Sequence, residues 1–177
     1  VTEIDNEPDP NILFVDANTT GANDGSNWND ALTDLQDAIS IAQSYSQFEE
    51  IRVAQGVYTP TAPSGDRGAS FWLINGIAIK GGYAGYGWPD PNTRDIEAFE
   101  TILSGDLNGD DGPGFTNYGD NSYNVVRSSG TDANTVMDGF VIIGGSGKYS
   151  NATNTWTPGN GMYNSNSNAM ITNCIFS

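Results

Sequence analysis

The chain has 177 residues, the size of one domain, with 22 acidic and 6 basic residues, no histidine and a formal net charge of −16. This charge excludes the basic surface with which proteins bind nucleic acid, and it opposes binding to anionic membranes and polyanions. No run of about 18 apolar residues is present, so membrane insertion is not expected.

The N-terminal region changes from polar to apolar within a dozen residues. Residues 1–11 are polar and punctuated by proline, which predicts a flexible arm. The apolar run Ile12–Val15 predicts a short strand. With the helix that follows, we interpret residues 12–49 as an N-terminal cap.

The helix is predicted from apolar periodicity. Apolar side chains recur at three- and four-residue spacing from Trp28 to Ala42, which predicts a helix over about 30–46 with one buried face. Asn29 or Asp30 can cap its first turn. Trp28 is expected in the core beneath this helix.

Short apolar runs alternate with glycine-rich turns over residues 50–177, and two of these runs are similar. Residues 73–82 match residues 136–145 in the pattern apolar-x-[Asn/Asp]-Gly-apolar-x-Ile-x-Gly-Gly, at an offset of 63. A third, partial copy begins at Ile171, 35 residues after Val136. Such self-similarity favours a solenoid of stacked coils with long inserted loops over a sandwich of short strands.

An ordered series of motifs resembles a known family. The segments are FVDANTTGANDGSNWNDALTDLQDAISIA, IRVAQGVYTP, ILSGDLNGDDG and NGMYNSNSNAMITNCIFS. Over residues 12–177 they resemble the start of bacterial surface proteins of the pectin-lyase-like superfamily, which carry polymorphic-outer-membrane-protein-type repeats. The resemblance implies an all-β fold, a right-handed parallel β-helix (solenoid) with an N-terminal capping strand and α-helix.

The resemblance also implies export, so we expect an extracellular or cell-surface location, with the signal peptide already removed before Val1. It does not imply one activity, because such folds host both enzymes and adhesins.

The series of repeats reaches only the start of a third copy before Ser177. A β-helix interrupted there exposes apolar core and unpaired backbone. Further coils of a longer protein, or a second copy stacked head to tail into fibres, are therefore expected to cover this edge. The segment Ile12–Val15 offers another self-association contact by strand addition.

An acidic loop is the candidate metal site. Asp106, Asn108 and Asp110 place oxygen ligands at alternating positions, as in the first half of an EF-hand loop, and Asp111 adds a fourth directly after them. The twelfth position, Asn117, lacks the expected glutamate. Two interpretations stay open, a calcium site and an ordinary Asx-turn loop.

Two tryptophans are candidates for contact with glycans. Trp88 and Trp156 lie in loops rich in glycine, proline and asparagine, where burial is less expected. The alternative is that each ring packs its own loop onto the core.

Catalytic motifs are scarce. Without histidine the chain has no His-based triad, it has no G-x-S-x-G motif, and no carboxylate pair stands out among the 22 acidic residues. The sequence predicts a non-enzymatic structural or adhesive surface module, calcium-stabilised and self-assembling. The alternative is an extracellular protein that binds or degrades polysaccharide as a lyase or hydrolase.

Overall fold

The computed structural model describes residues 9–150, 155–157 and 159–177, which form short strands and one helix. The elements are β1 (Ile12–Val15), α1 (Leu35–Ser44), β2 (Glu50–Ala54), β3 (Gly56–Tyr58), β4 (Phe71–Trp72), β5 (Ala78–Tyr83), β6 (Thr101–Ser104), β7 (Asn124–Ser129), β8 (Val136–Asp138), β9 (Val141–Ile143), β10 (Lys148–Ser150), β11 (Thr155–Thr157), β12 (Asn160–Ser165), β13 (Met170–Thr172) and β14 (Ile175–Phe176).

The strands form three parallel sheets and one antiparallel pair. The first sheet has the order β1-β2-β5-β8-β13, the second β3-β6-β9-β14, and the third β4-β7-β12, while β10 pairs with β11. From β2 onward, leaving out the antiparallel pair, successive strands enter the first, second and third sheets in turn.

These sheets correct the predicted fold. Each is an open sheet of three to five short strands, and the described residues form no closed or solenoid sheet. The prediction of an all-β, right-handed parallel β-helix is therefore wrong. Strands end at bends such as Gly139, whose φ of 82° turns the chain from β8 in the first sheet to β9 in the second. Three parallel sheets beside one helix are compatible with an α/β fold.

The strand register differs from the spacing of the repeat. An offset of 63 aligns Ala78 with Val141, but Ala78 lies opposite Val136 in the first sheet, and Val141 belongs to the second. Ile171 lies opposite Met137 rather than Val136. The residues shared by the two segments therefore mark similar bends and do not give the pairing of the strands.

The helix begins later than the periodicity predicts. Its N-cap is Asp34, whose carboxylate accepts a hydrogen bond from the Gln36 N–H at 2.8 Å. Leu32 instead pairs with β1 and donates its N–H to the Phe14 carbonyl at 2.9 Å, so the predicted start near residue 30 is wrong. No helix in the described residues is long and apolar enough to cross a bilayer.

The core follows the register of the first sheet. One inward row crosses all five strands, and its first four side chains are 3% exposed or less. The row is Leu13, Ile51, Ile79, Met137 and Ile171. Burial of this row stabilises the first sheet through the hydrophobic effect.

Trp28 is buried, as predicted, but its cluster on the first sheet contains no residue of α1, so its predicted place beneath the helix is wrong. Its ring centroid lies 4.9 Å from that of Phe14 and 5.6 Å from that of Tyr83. The indole Nε1–H donates to Asn92 Oδ1 at 2.9 Å, so the polar atom of the buried ring is satisfied.

Candidate functional site

The loop after β6 is folded around one carboxylate. Asp106 Oδ1 accepts the backbone N–H groups of Gly109 at 2.8 Å and Asp110 at 3.2 Å, and Oδ2 accepts that of Asp111 at 3.0 Å. Gly109 has a φ of 69°, a conformation that glycine adopts without steric cost. This is the Asx-type turn that the sequence allowed, and it fixes the positions of the following aspartates.

Four aspartates converge above this turn. Asp106, Asp110, Asp111 and Asp120 each offer a carboxylate oxygen, and these oxygens lie within 4.8 Å of one another. The cluster could hold a metal ion. Three of its members were predicted from spacing, and Asp120 was missed. No local sequence pattern marks it. The chain turns back on itself where Gly112 pairs with Thr116, and only this turn brings Asp120 to the cluster.

Asn108 lies beside the cluster and is engaged elsewhere. Its backbone N–H donates to Asp120 Oδ2 at 3.1 Å. Its side-chain Oδ1 accepts hydrogen bonds from the backbone N–H of Ser64 at 2.9 Å and from the Ser64 hydroxyl at 3.3 Å. The predicted ligand Asn108 therefore ties the loop to a neighbouring segment and positions Asp120.

Buried polar atoms lie under the cluster. Asn121 is fully buried, and its Nδ2 donates to Asp111 Oδ2 at 2.7 Å and to the Gly144 carbonyl at 3.0 Å. Asp111 Oδ1 and Asn121 Oδ1 are also buried, and neither has a hydrogen-bond partner in the described part of the chain. An unpaired buried oxygen is costly unless a cation or another donor compensates it.

The electrostatics of the cluster favour a cation. Burial and the nearby charges of Asp106, Asp120 and Asp110 raise the pKa of the Asp111 carboxyl, against the hydrogen bond from Asn121. Within residues 9–150, 155–157 and 159–177, no lysine or arginine forms an ion pair with the four aspartates. Carboxylate oxygens without a cationic side chain suit a hard divalent ion.

Trp88 lies on the surface, as the sequence led us to expect. The side chain is 50% exposed, and its ring packs edge-on against Phe99 with centroids 5.0 Å apart. The ring therefore packs on its own loop and still presents half its surface, and its contact with a glycan stays a prediction. The side chain of Trp156 lies outside the described residues.

The third sheet carries a row of side chains that sequence reasoning missed. Trp72, Arg127 and Tyr163 lie side by side on β4, β7 and β12. The Arg127 guanidinium carbon is 4.8 Å from the Trp72 ring centroid and 5.2 Å from that of Tyr163. Only the strand register, which the sequence does not reveal, places these three residues together.

No protein-family model, curated protein or solved structure matches this chain. The resemblance to pectin-lyase-like surface proteins therefore stays a prediction from the motifs alone.

Proposed function

We propose that this chain is a non-enzymatic structural or adhesive module of the cell surface or extracellular space, stabilised by a calcium ion. The observation that carries the proposal is the convergence of Asp106, Asp110, Asp111 and Asp120 above the unpaired, buried Oδ1 of Asp111. A bound cation would neutralise like charges that otherwise oppose the fold of this loop.

The donor set favours calcium among the common cations. All four side chains offer oxygen, and the chain has no histidine. Calcium takes six to eight oxygen ligands with flexible geometry, and backbone carbonyls and water complete its shell. An Asx turn alone accounts for Asp106, which accepts three backbone N–H groups, but not for the three other carboxylates gathered beside it.

Thermal unfolding with and without calcium tests this site. At a calcium concentration about ten times Kd, binding should stabilise the fold by about 1.4 kcal/mol and raise Tm by about 3–5 °C. The variant Asp120→Asn should lose most of this shift, whereas Asp24→Asn, an exposed aspartate outside the cluster, should keep it. An equal shift in both variants would show that calcium acts through general charge screening.

The adhesive part of the proposal rests on the strands at one edge of the sheets. β12, β13 and β14 are edge strands of the third, first and second sheets. Met170, Ile175 and Phe176 on these strands are 51%, 61% and 48% exposed. Phe176 continues a row in the second sheet that is buried at Leu103 and Ile142. Exposed apolar side chains beside unpaired strands favour strand addition by another chain.

We propose a second copy of the chain as the partner at these edges. β1 is less suited to strand addition, because Phe14 already exchanges backbone hydrogen bonds with Gly25 and Leu32 on its outer side. Light scattering should show reversible assembly that increases with protein concentration. Ile175→Lys should weaken it, whereas Tyr45→Lys, which adds the same charge at an exposed site on α1's C-cap, should not.

A second candidate function is polysaccharide binding, favoured by the half-exposed Trp88. Degradation has less support, because Asp16, which shares the groove beside Trp88 with Glu100, is 2% exposed and already accepts the backbone N–H groups of Tyr86 and Asn18. Incubation with neutral and acidic polysaccharides should release no new reducing or unsaturated ends. Release by the purified chain would overturn the non-enzymatic assignment.

A further inference from the structure

We propose that the groove beside Trp88 binds neutral hexose units of a polysaccharide. This inference rests on the second candidate function, polysaccharide binding, and gives it a ligand class. The groove is open, with a volume of about 520 Å³, within the range of small-ligand sites. Its lining includes Asp16, Asn18, Gln55, Tyr86, Trp88 and Glu100.

The groove presents two aromatic side chains with part of their surface free. Trp88 is 50% exposed and Tyr86 is 39% exposed. The edge-on contact with Phe99 holds the Trp88 ring in place, so little side-chain entropy would be lost on stacking a ligand. Rings of this type present a flat apolar surface that suits the C–H face of a sugar.

One buried carboxylate holds the aromatic loop in position. Asp16 is 2% exposed, and its Oδ2 accepts the Tyr86 N–H at 2.6 Å while its Oδ1 accepts the Asn18 N–H at 2.9 Å. A side chain on Gly85 would come within 2.3 Å of Asp16 Oδ2, so the close approach requires glycine. The two walls of the groove are therefore fixed to each other through Asp16.

Other polar groups of the lining remain available to a ligand. The Glu100 carboxylate and the Asn18 side-chain amide have no hydrogen-bond partner among the described residues, and both residues are exposed. Gln55 donates its Nε2–H to the Ala84 carbonyl at 3.0 Å, which leaves Oε1 as an acceptor. Carboxylate and amide groups beside an aromatic ring can bind the hydroxyls of a hexose.

The charge of the groove selects among sugars. The described residues of the lining include Asp16 and Glu100 and no lysine or arginine. A uronic acid or sulfated sugar would bring its negative charge against these carboxylates without a compensating cation. The groove therefore favours neutral hexoses.

Ligand-observed NMR and calorimetry, performed in EDTA, test the proposal with cellobiose, lactose, maltose and digalacturonate as probes. At least one neutral disaccharide should bind with Kd on the order of 1 mM, and digalacturonate should not. Trp88→Ala should weaken binding by at least about tenfold, and Trp88→Phe should restore most of it. The matched control Trp72→Ala, which removes a 45% exposed tryptophan from the third sheet, should bind like wild type.

Glu100→Gln provides a second variant if Trp88→Ala does not fold, and it should weaken binding by about fivefold. The proposal is overturned if no neutral disaccharide binds, if digalacturonate binds more tightly, or if Trp72→Ala loses as much affinity as Trp88→Ala. Because EDTA removes calcium, a failure here leaves the calcium-dependent Tm shift and the self-association to be judged separately.

Discussion

Asn121 Nδ2 donates a 2.7 Å hydrogen bond to Asp111 Oδ2 and so orients the carboxylate whose other oxygen, Oδ1, is buried without a partner among the described residues. The same nitrogen reaches the Gly144 carbonyl, which links the loop to the segment after β9. Arg67 Nε donates to the Asn121 carbonyl at 2.7 Å and fixes this residue from the other side. The cluster is thus supported from beneath by a fully buried amide.

Replacing that amide should affect both the fold and the cation. Asn121→Ala removes a buried donor and leaves Asp111 Oδ2 without it, so the free energy of unfolding should fall by about 1–3 kcal/mol. Calcium affinity should fall by about tenfold because Asp111 is no longer oriented. Asn75→Ala, at an exposed asparagine far from the cluster, should leave calcium affinity unchanged. Calorimetric titration measures the calcium affinity of each variant. An equal loss of affinity in Asn121→Ala and Asn75→Ala would contradict the role of Asn121.

Asp111 should make stability depend on pH in opposite directions with and without calcium. The pKa of Asp111 in the folded chain is raised above the ordinary value of 3.8. In EDTA, the stability that Asp111 contributes is therefore present below pH 3.8 and is lost as the pH rises through the folded pKa. Calcium requires the ionised carboxylate, so the stabilisation by calcium should grow over the same rise in pH.

Melting curves across the acid range, in EDTA and in calcium, measure this divergence. Asp111→Asn should abolish most of it. A calcium-dependent shift that stays constant with pH would argue against Asp111 as a ligand.

Glu50 should stabilise the first sheet through two cations. Its carboxylate lies 2.7 Å from Nε of Arg52 on the same strand, β2, and 2.6 Å from Nζ of Lys80 on the neighbouring strand β5. Burial alone would raise the pKa of Glu50, but the hydrogen bonds from Lys80 and Arg52 outweigh it and lower the pKa below 4.5. The stability that Glu50 contributes is therefore present above pH 4.5 and is lost as the pH falls through the lowered pKa of the folded chain.

Glu50→Gln should therefore cost about 1 kcal/mol at neutral pH and less in acid. Glu49→Gln, at the exposed neighbouring position, should change stability by less than about 0.5 kcal/mol. Urea unfolding of both variants at neutral and acid pH provides the comparison. A cost for Glu50→Gln that does not decline in acid would contradict the ionic contribution.

Truncating a methionine of the first sheet should cost more stability where its side chain is buried. Met137 is 1% exposed, whereas Met170, on the adjacent strand β13, is 51% exposed. Met137→Ala should lower the free energy of unfolding by about 2–5 kcal/mol through lost burial and a cavity. Met170→Ala should cost less than about 1 kcal/mol. Similar costs in urea unfolding would mean that Met170 is covered in solution, as self-association predicts at high protein concentration.

The sequence predicted local features of this molecule better than long-range ones. The buried face of α1 and the strand Ile12–Val15 follow from apolar spacing. The helix start was missed because Leu32 pairs with β1, a tertiary contact that overrides helical periodicity.

The candidate metal site was likewise predicted only for the residues that are close in sequence. Asp106, Asp110 and Asp111 share one loop, and their spacing could be read directly. Asp120 joins them only through the path of the chain back from residue 116. The fold prediction failed for a related reason: strand register depends on loop lengths, so the 63-residue repeat did not give the pairing.

The most direct test of the calcium-stabilised module is a calorimetric titration of the purified chain with calcium, repeated on Asp120→Asn and Asp24→Asn. We predict one calcium ion per chain, with Kd of about 0.1–1 mM, as is usual for extracellular modules. Binding should be lost in Asp120→Asn and retained in Asp24→Asn. The absence of binding heat at about 10 mM calcium, together with an unchanged Tm, would contradict the proposed site.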